Sequence, residues 1–428
     1  MNPAAIPDLK SVVLLLLLIT TTLVMLSAQA QTECESIIRE FQFEGNEKIQ
    51  PEYLLKWSKL SEGQTITESS LSRARQDLLN TSYFSHASIT QDAPCNIEAV
   101  ITIQVEEKRY HLLYPRLSRN GNGDIEKGFR YRGYQLFGVD QNLSLIASQK
   151  DYEDGNTAER FGADYELNLL NLPYQLRWGY QTIDTVLADT ATAVIDQDEE
   201  FSFLVGRKWH TPWASLPVGV YAKLTLQKKS LDGSDPSVTT EPGNYNTLGI
   251  QLEYDKVNDQ VYRQTGHYHT IEFSKGFDAL GSDSNAFRFR FETRYYYALN
   301  QLDNLNARFI VDLTSEKVFN ENSYSLGGSD NLRGIEKGSI SGNSLWLTNL
   351  EYVVGYRRWP SFRSAFFTDI GYVFEDATSI NDDDWRQTIG FGLRWKLTSF
   401  VKTDLVIDYG YDPKNNYSKL YFSTSLPF

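Results

Sequence analysis

The sequence predicts a small α+β domain followed by an all-β, 16-stranded transmembrane antiparallel β-barrel. Three observations lead there. From Arg109 to Phe428 apolar and polar residues alternate in short runs, and no helical period persists. The chain opens with a segment of the kind that directs export. Its mean hydropathy of -0.41 looks soluble, yet 13% of residues are aromatic, far more than a chain without a core carries. A barrel that faces lipid outside and water inside reconciles these, because only alternate residues need be apolar.

The same composition excludes other classes. At 41% hydrophobic the chain is too polar for a helical membrane protein. A net charge of -14 argues against binding a phosphate backbone, so no nucleic-acid partner is expected. Two cysteines are too few for a disulfide scaffold or a Cys-rich zinc site.

Residues 1–30 read as a signal peptide. Lys10 precedes the apolar run Val12–Leu18, which continues through Leu26, and Ala28-Gln29-Ala30 fits a small-x-small cleavage site. Threonines at 20–22 weaken the same run as a membrane span. Cys34 follows without the small-residue context of a lipoprotein signal, so lipidation is not expected. In an oxidising compartment Cys34 and Cys95 could pair. That loop would contribute at most about 4 kcal/mol in the chain-entropy account.

Residues 35–107 read as strand, helix, helix, strand, strand. Ile37–Glu44 is an extended run ended by the turn pair Gly45-Asn46. Pro51 opens a helix through Trp57. Thr67 caps a second, with Leu71, Ala74, Leu78 and Leu79 at helical spacing. Strands follow at Ala87–Gln91 and Ile97–Val105. Phe43-Glu44-Gly45-Asn46 and Leu78-Leu79-Asn80-Thr81-Ser82-Tyr83-Phe84, in this element order, resemble a POTRA domain, the periplasmic module of the BamA/TamA outer-membrane assembly superfamily.

In the remainder, 109–428, sixteen extended segments begin near residues 110, 128, 141, 159, 173, 199, 217, 245, 261, 285, 305, 344, 362, 385, 402 and 418. Phe287, Phe289, Phe291, Tyr295 and Tyr297 share one face, opposite Arg288, Arg290, Glu292 and Arg294. Ile389, Phe391, Leu393 and Trp395 oppose Arg394 and Lys396; Leu405, Ile407 and Tyr409 oppose Asp404 and Asp408. An even count suits a bacterial barrel. With the module inside, the periplasmic turns should be short: Gly138–Asp140, Asn171–Leu172 and Pro360–Ser361. The outer loops should be longer: Thr185–Asp198, Ser230–Gly243, Asn320–Asn343 and Glu375–Asp384.

The sixth outer loop contains Leu332-Arg333-Gly334-Ile335, similar to the Arg-Gly-aromatic signature of the same superfamily, with Ile335 where an aromatic residue is usual. The resemblance implies that the loop folds into the lumen and that Arg333 meets two wall carboxylates. Asn349-Leu350-Glu351-Tyr352 and Phe367-Thr368-Asp369-Ile370-Gly371 resemble the motifs that carry them. Alternation independently turns Glu351 and Asp369 inward. A guanidinium can hold two carboxylates by forked hydrogen bonds.

Catalytic signatures are absent from the sequence. The five histidines are scattered, and His267 and His269 share a strand face without an evident third ligand, so no metal, cofactor or enzymatic activity is expected. The resemblance implies an outer-membrane insertion or translocation factor of a Gram-negative bacterium. It would receive unfolded outer-membrane or secreted proteins at a periplasmic POTRA edge, with outer-membrane lipid and accessory periplasmic proteins as further partner classes. A two-partner-type secretion pore is the alternative. A lateral seam is expected between Tyr110–Leu117 and Lys419–Phe428, involving Tyr110, Leu112, Phe422, Leu426 and Phe428. The substrate and the oligomeric state are left open.

Overall fold

The computed structural model describes residues 35–423, apart from 93–97, 120–124, 139, 153–154, 169–173, 188–193, 212–215, 234–237, 239, 260–261, 336–338, 375–384 and 402–403. The expected signal peptide, both cysteines, the expected Asn171–Leu172 turn and Glu375–Asp384 loop, and Leu426 and Phe428, expected at the seam, lie outside the described residues.

The N-terminal module comprises β1 (Ser36–Glu44), α1 (Pro51–Ser58), β2 (Thr65–Ile66), α2 (Glu68–Asn80), β3 (Phe84–Gln91) and β4 (Glu98–Glu107). Pro51 starts α1, where its missing N–H costs nothing. Lys59, left-handed at φ 57°, ends it by donating its N–H to the Leu55 carbonyl. Thr67 and Ser70 form a reciprocal capping box on α2. Leu71, Ala74 and Leu78 then fall on the buried face. The sheet order is β2-β1-β4-β3, with β1 and β4 parallel. The two-residue β2 leaves no mark in the sequence pattern, because two residues carry no alternation.

The barrel sheet contains seventeen strands in its neighbour order. One of them, Asn258–Asp259, is two residues long and pairs only with the start of Gln264–Gly276. The other sixteen run from His111–Arg119, here strand one, to Tyr417–Ser423, strand sixteen. The order places strand sixteen beside strand one. Antiparallel registers join the other consecutive pairs among the described residues, for example Gly392 opposite Asp408 and Asp408 opposite Tyr421.

Two expectations change. The turn placed at Pro360–Ser361 falls inside strand thirteen (Trp359–Phe374), and the chain reverses at Arg357-Arg358. Tyr356 pairs with Trp359, but Gly355 pairs with Arg363, so Pro360 sits in a bulge that needs no ladder donor. The loop expected at Thr185–Asp198 is mostly ladder, with Val194–Leu187 through Asp198–Ile183 paired.

The two faces separate as alternation requires. Leu113, Phe129, Phe366, Ile389, Phe391, Trp395, Ile407 and Phe422 are exposed on the outer face. Glu292, Asp312, Glu351, Asp369, Arg394 and Asp408 are buried on the inner one.

The module is seated on one mouth of the barrel. Asp259 is held from both sides: Gln76 donates to its carbonyl (2.8 Å), its N–H donates to Asn80 Oδ1 (2.9 Å), and Ser82 and Lys396 reach its carboxylate at 3.2 and 3.4 Å. Tyr110, expected at the seam, is buried in the module's core with its ring edge-on to Tyr83. It belongs to the junction, one residue before strand one begins. Tyr83 also donates to Asp140, whose carboxyl is pushed above its usual range by burial and then by Glu166, against the opposing pull of Lys56. A raised carboxyl pKa favours the docked state more as pH falls through it. Limited proteolysis at the junction is expected to slow on acidification. Asp140→Asn should flatten that dependence.

Candidate functional site: a loop pinned in the barrel lumen

The loop between strands eleven (Asn304–Thr314) and twelve (Ser344–Tyr356) forms a short hairpin, Tyr324–Leu326 with Ile340–Gly342, and then turns inward. Asn331 shapes the turn: its Oδ1 accepts from the N–H groups of Gly327 and Leu332. Leu326, Leu332 and Ile335 then bury against Ile310, Leu345 and Leu347 of the inner wall. Each such burial stabilises by about 2 kcal/mol. Ile335 therefore fills an aliphatic seat where the family motif has an aromatic ring.

Beyond this seat Arg333 is fully buried, at 0% exposure. Its Nε and Nη2 donate to the two oxygens of Asp369, both at 2.8 Å, and its backbone N–H donates to the same carboxylate at 3.1 Å. Nη1 reaches Glu351 at 3.0 Å and Asp408 at 3.2 Å. The guanidinium lies over the Phe367 ring, 3.4 Å from its centroid. Burial alone would push this arginine's pKa down. Asp369, then Glu351 and Asp408, more than reverse that and hold it above its ordinary range. Arg333 is therefore charged at any pH of interest.

The structure thus brings Arg333, Glu351 and Asp369 together. It adds two residues that the sequence reading placed on the inner face but not in the site. Arg394, on strand fourteen (Arg386–Lys396), donates to Glu351 at 2.7 Å and to Asp408 at 2.5 Å. Asp408, on strand fifteen (Asp404–Asp412), joins the two arginines. Register was the missing information: inward parity alone does not reveal which inward charges share a level. Gly392, opposite Asp408, leaves the room; a Cβ there would lie 2.0 Å from Asp408 Oδ1.

The backbone after Arg333 needs glycine twice. Gly334 has φ 98°, a conformation that L side chains avoid. It lies flat on Gly410 of strand fifteen, where a Cβ would come within 2.5 Å of Gly334 N. The Tyr421 hydroxyl on strand sixteen accepts from the Gly334 N–H at 3.0 Å and donates to the Ile335 carbonyl at 2.9 Å. Asn349 ties Asn331 to Asp369, and Arg308 on strand eleven holds the Asp330 carbonyl.

The other expected sites lie elsewhere. Leu112, on strand one, pairs with Arg132, on the parity opposite the exposed Leu113. Phe422 is on the outer face of strand sixteen. His267 and His269 contact each other at 2.8 Å, and His269 contacts Thr293. Among the described residues no group of three or more His, Cys, Asp or Glu is arranged for a metal.

This arrangement joins the loop tip to the wall by ion pairs and hydrogen bonds. It can hold a loop against the inner wall, tied directly to strands eleven, twelve, thirteen, fifteen and sixteen and to strand fourteen through the Arg394 bridges. Two predictions follow from the geometry. Arg333→Ala leaves three carboxylates facing one guanidinium, and should weaken loop seating by about 3–5 kcal/mol, read as faster protease cleavage within 324–342. Gly410→Ala should unseat the tip without altering any charge, giving the same cleavage pattern at unchanged thermal stability of the strand ladder.

Comparison with known proteins agrees with this architecture. The Omp85 superfamily domain matches residues 133–428. The POTRA family, described as surface antigen variable number repeat, matches residues 36–108. Among solved structures, BamA from Haemophilus ducreyi lacking POTRA domains 1–3 is similar at 15% identity and TM-score 0.52, covering 91% of this chain and 84% of that one. CdiB from Acinetobacter baumannii is similar at 15% identity and TM-score 0.64, covering 90% and 73%. CdiB from Escherichia coli is similar at 11% identity and TM-score 0.64, covering 90% and 76%. No curated protein matches the sequence.

Proposed function

The chain belongs to the Omp85 superfamily, and from that premise we propose that it inserts or assembles proteins in the outer membrane of a Gram-negative bacterium, with residues 35–107 in the periplasm and 109–428 in the membrane. Unfolded substrate is received at the POTRA edge by β-augmentation. It is handed to the barrel at a seam between strands one and sixteen, in contact with outer-membrane lipid. Cleavage after Ala30 and a Cys34–Cys95 bridge belong to the same exported life history.

The observation that carries the reading is the buried Arg333 loop beside a docked POTRA domain. A passive pore needs neither. The seam has support of its own. Pro115 lies within strand one, opposite Phe129 of strand two, and proline is confined to edge strands, first positions and bulges. In the sequence, Pro427 carries no N–H to donate.

A secretion pore exporting one dedicated partner is the second reading. The charged inner wall favours it: Arg290, Arg294 and Arg308 surround Glu292 and offer a polar track. Deletion of the gene separates the two. Insertion predicts altered outer-membrane protein or lipid content; secretion predicts unchanged content and loss of one exported protein. A disulfide locking strand one to strand sixteen should abolish insertion. Full activity of the locked form would contradict the seam.

A further inference from the structure

We infer that Tyr421 is a positioning residue that couples the seated loop to the seam, so that strand sixteen cannot leave strand one without releasing the loop tip. The inference rests on the seam reading above and adds the part that links it to the lumen. Tyr421 lies in strand sixteen, one of the two strands that would separate. Its buried hydroxyl spends both of its hydrogen-bonding roles on the loop, accepting from Gly334 and donating to Ile335. Its cross-strand neighbour is Asp408, which holds Arg333. The backbone of Gly334 meanwhile rests on Gly410, two residues along strand fifteen.

Side chain and backbone of the loop tip are thus gripped by adjacent residues of the last two strands. The Arg333 contacts reach strands twelve, thirteen and fifteen, and the hydroxyl adds strand sixteen. Moving strand sixteen outward leaves the Gly334 N–H and the Ile335 carbonyl without their partner in a buried place. Such groups are expensive to leave unpaired. Conversely, a loop that leaves the wall strips the last strand of its inner tether.

Tyr421→Phe keeps the ring and removes the coupling. The test uses the full-length protein in planar bilayers, with Tyr409→Phe, an exposed outer-face hydroxyl on the neighbouring strand, as control. Heat-modifiable electrophoretic mobility verifies that each variant is folded. Tyr421→Phe should raise the frequency of conductance openings about tenfold, as expected from loss of two buried hydrogen bonds. It should also raise, in parallel, the labelling of a cysteine placed at Leu112, on the inner parity of the seam strand. Its effect should largely vanish in an Arg333→Ala background, where the loop is already free. Unchanged openings and labelling in Tyr421→Phe, or effects that add fully to Arg333→Ala, would overturn the coupling. A locked seam with full insertion activity would instead overturn the underlying function and leave these conductance results standing.

Discussion

The rest of the structure depends on a buried guanidinium. Arg333 sits among three carboxylates inside a lumen that excludes water from it. Two ions at such distances attract by about 4 kcal/mol at an effective dielectric of 20, while removing each from water costs several kcal/mol. The sums nearly cancel, so the network contributes little net stability. What it contributes is asymmetry: the assembled state is tolerable, and any state lacking one partner is not. Two arginines against three acids leave one net negative charge, which makes the cluster intolerant of losing either cation.

Apolar burial supplies the stability that the ions do not. Leu326, Leu332 and Ile335 press the loop against Ile310, Leu345 and Leu347 of the inner wall, a small apolar cluster beside the charged one. Such contacts are non-directional. The Asp369 fork, the Gly334–Gly410 contact and the Tyr421 hydroxyl select one register among those that the apolar cluster would accept. Division of labour of this kind suits a part that must stay seated yet be releasable. The module follows a similar logic, since Asp259 accepts hydrogen bonds from Gln76, Ser82 and Lys396 and donates its N–H to Asn80 at the barrel mouth.

Much of this was legible in the sequence, for one physical reason. Alternation with period two specifies the face of each residue wherever one side meets lipid and the other water. That is why alternation alone turns Glu351 and Asp369 inward, and why it marks strand starts close to where the ladders begin. Face is not level, however. Arg394 and Asp408 were visible as inward charges, but only the shear of neighbouring strands brings them to Arg333. Tyr421 carries no signal at all, because a tyrosine on an inner face reads like any other. Tyr110 continues the pattern of strand one in sequence, yet the module's core claims its ring. Pro360 looked like a turn because proline usually marks one, whereas a bulge accommodates it equally well.

The central claim is that the loop tip is held as firmly as the wall on which it rests. Hydrogen exchange at the Arg333 and Gly334 amides, measured on the full-length protein in bilayers, tests this most directly. Both amides have specific acceptors, Asp369 Oδ2 and the Tyr421 hydroxyl. The account predicts protection comparable to the ladder amides of strands twelve and thirteen, lost together at both positions in Arg333→Ala. Exchange at the rate of an open loop in the unaltered protein would contradict it.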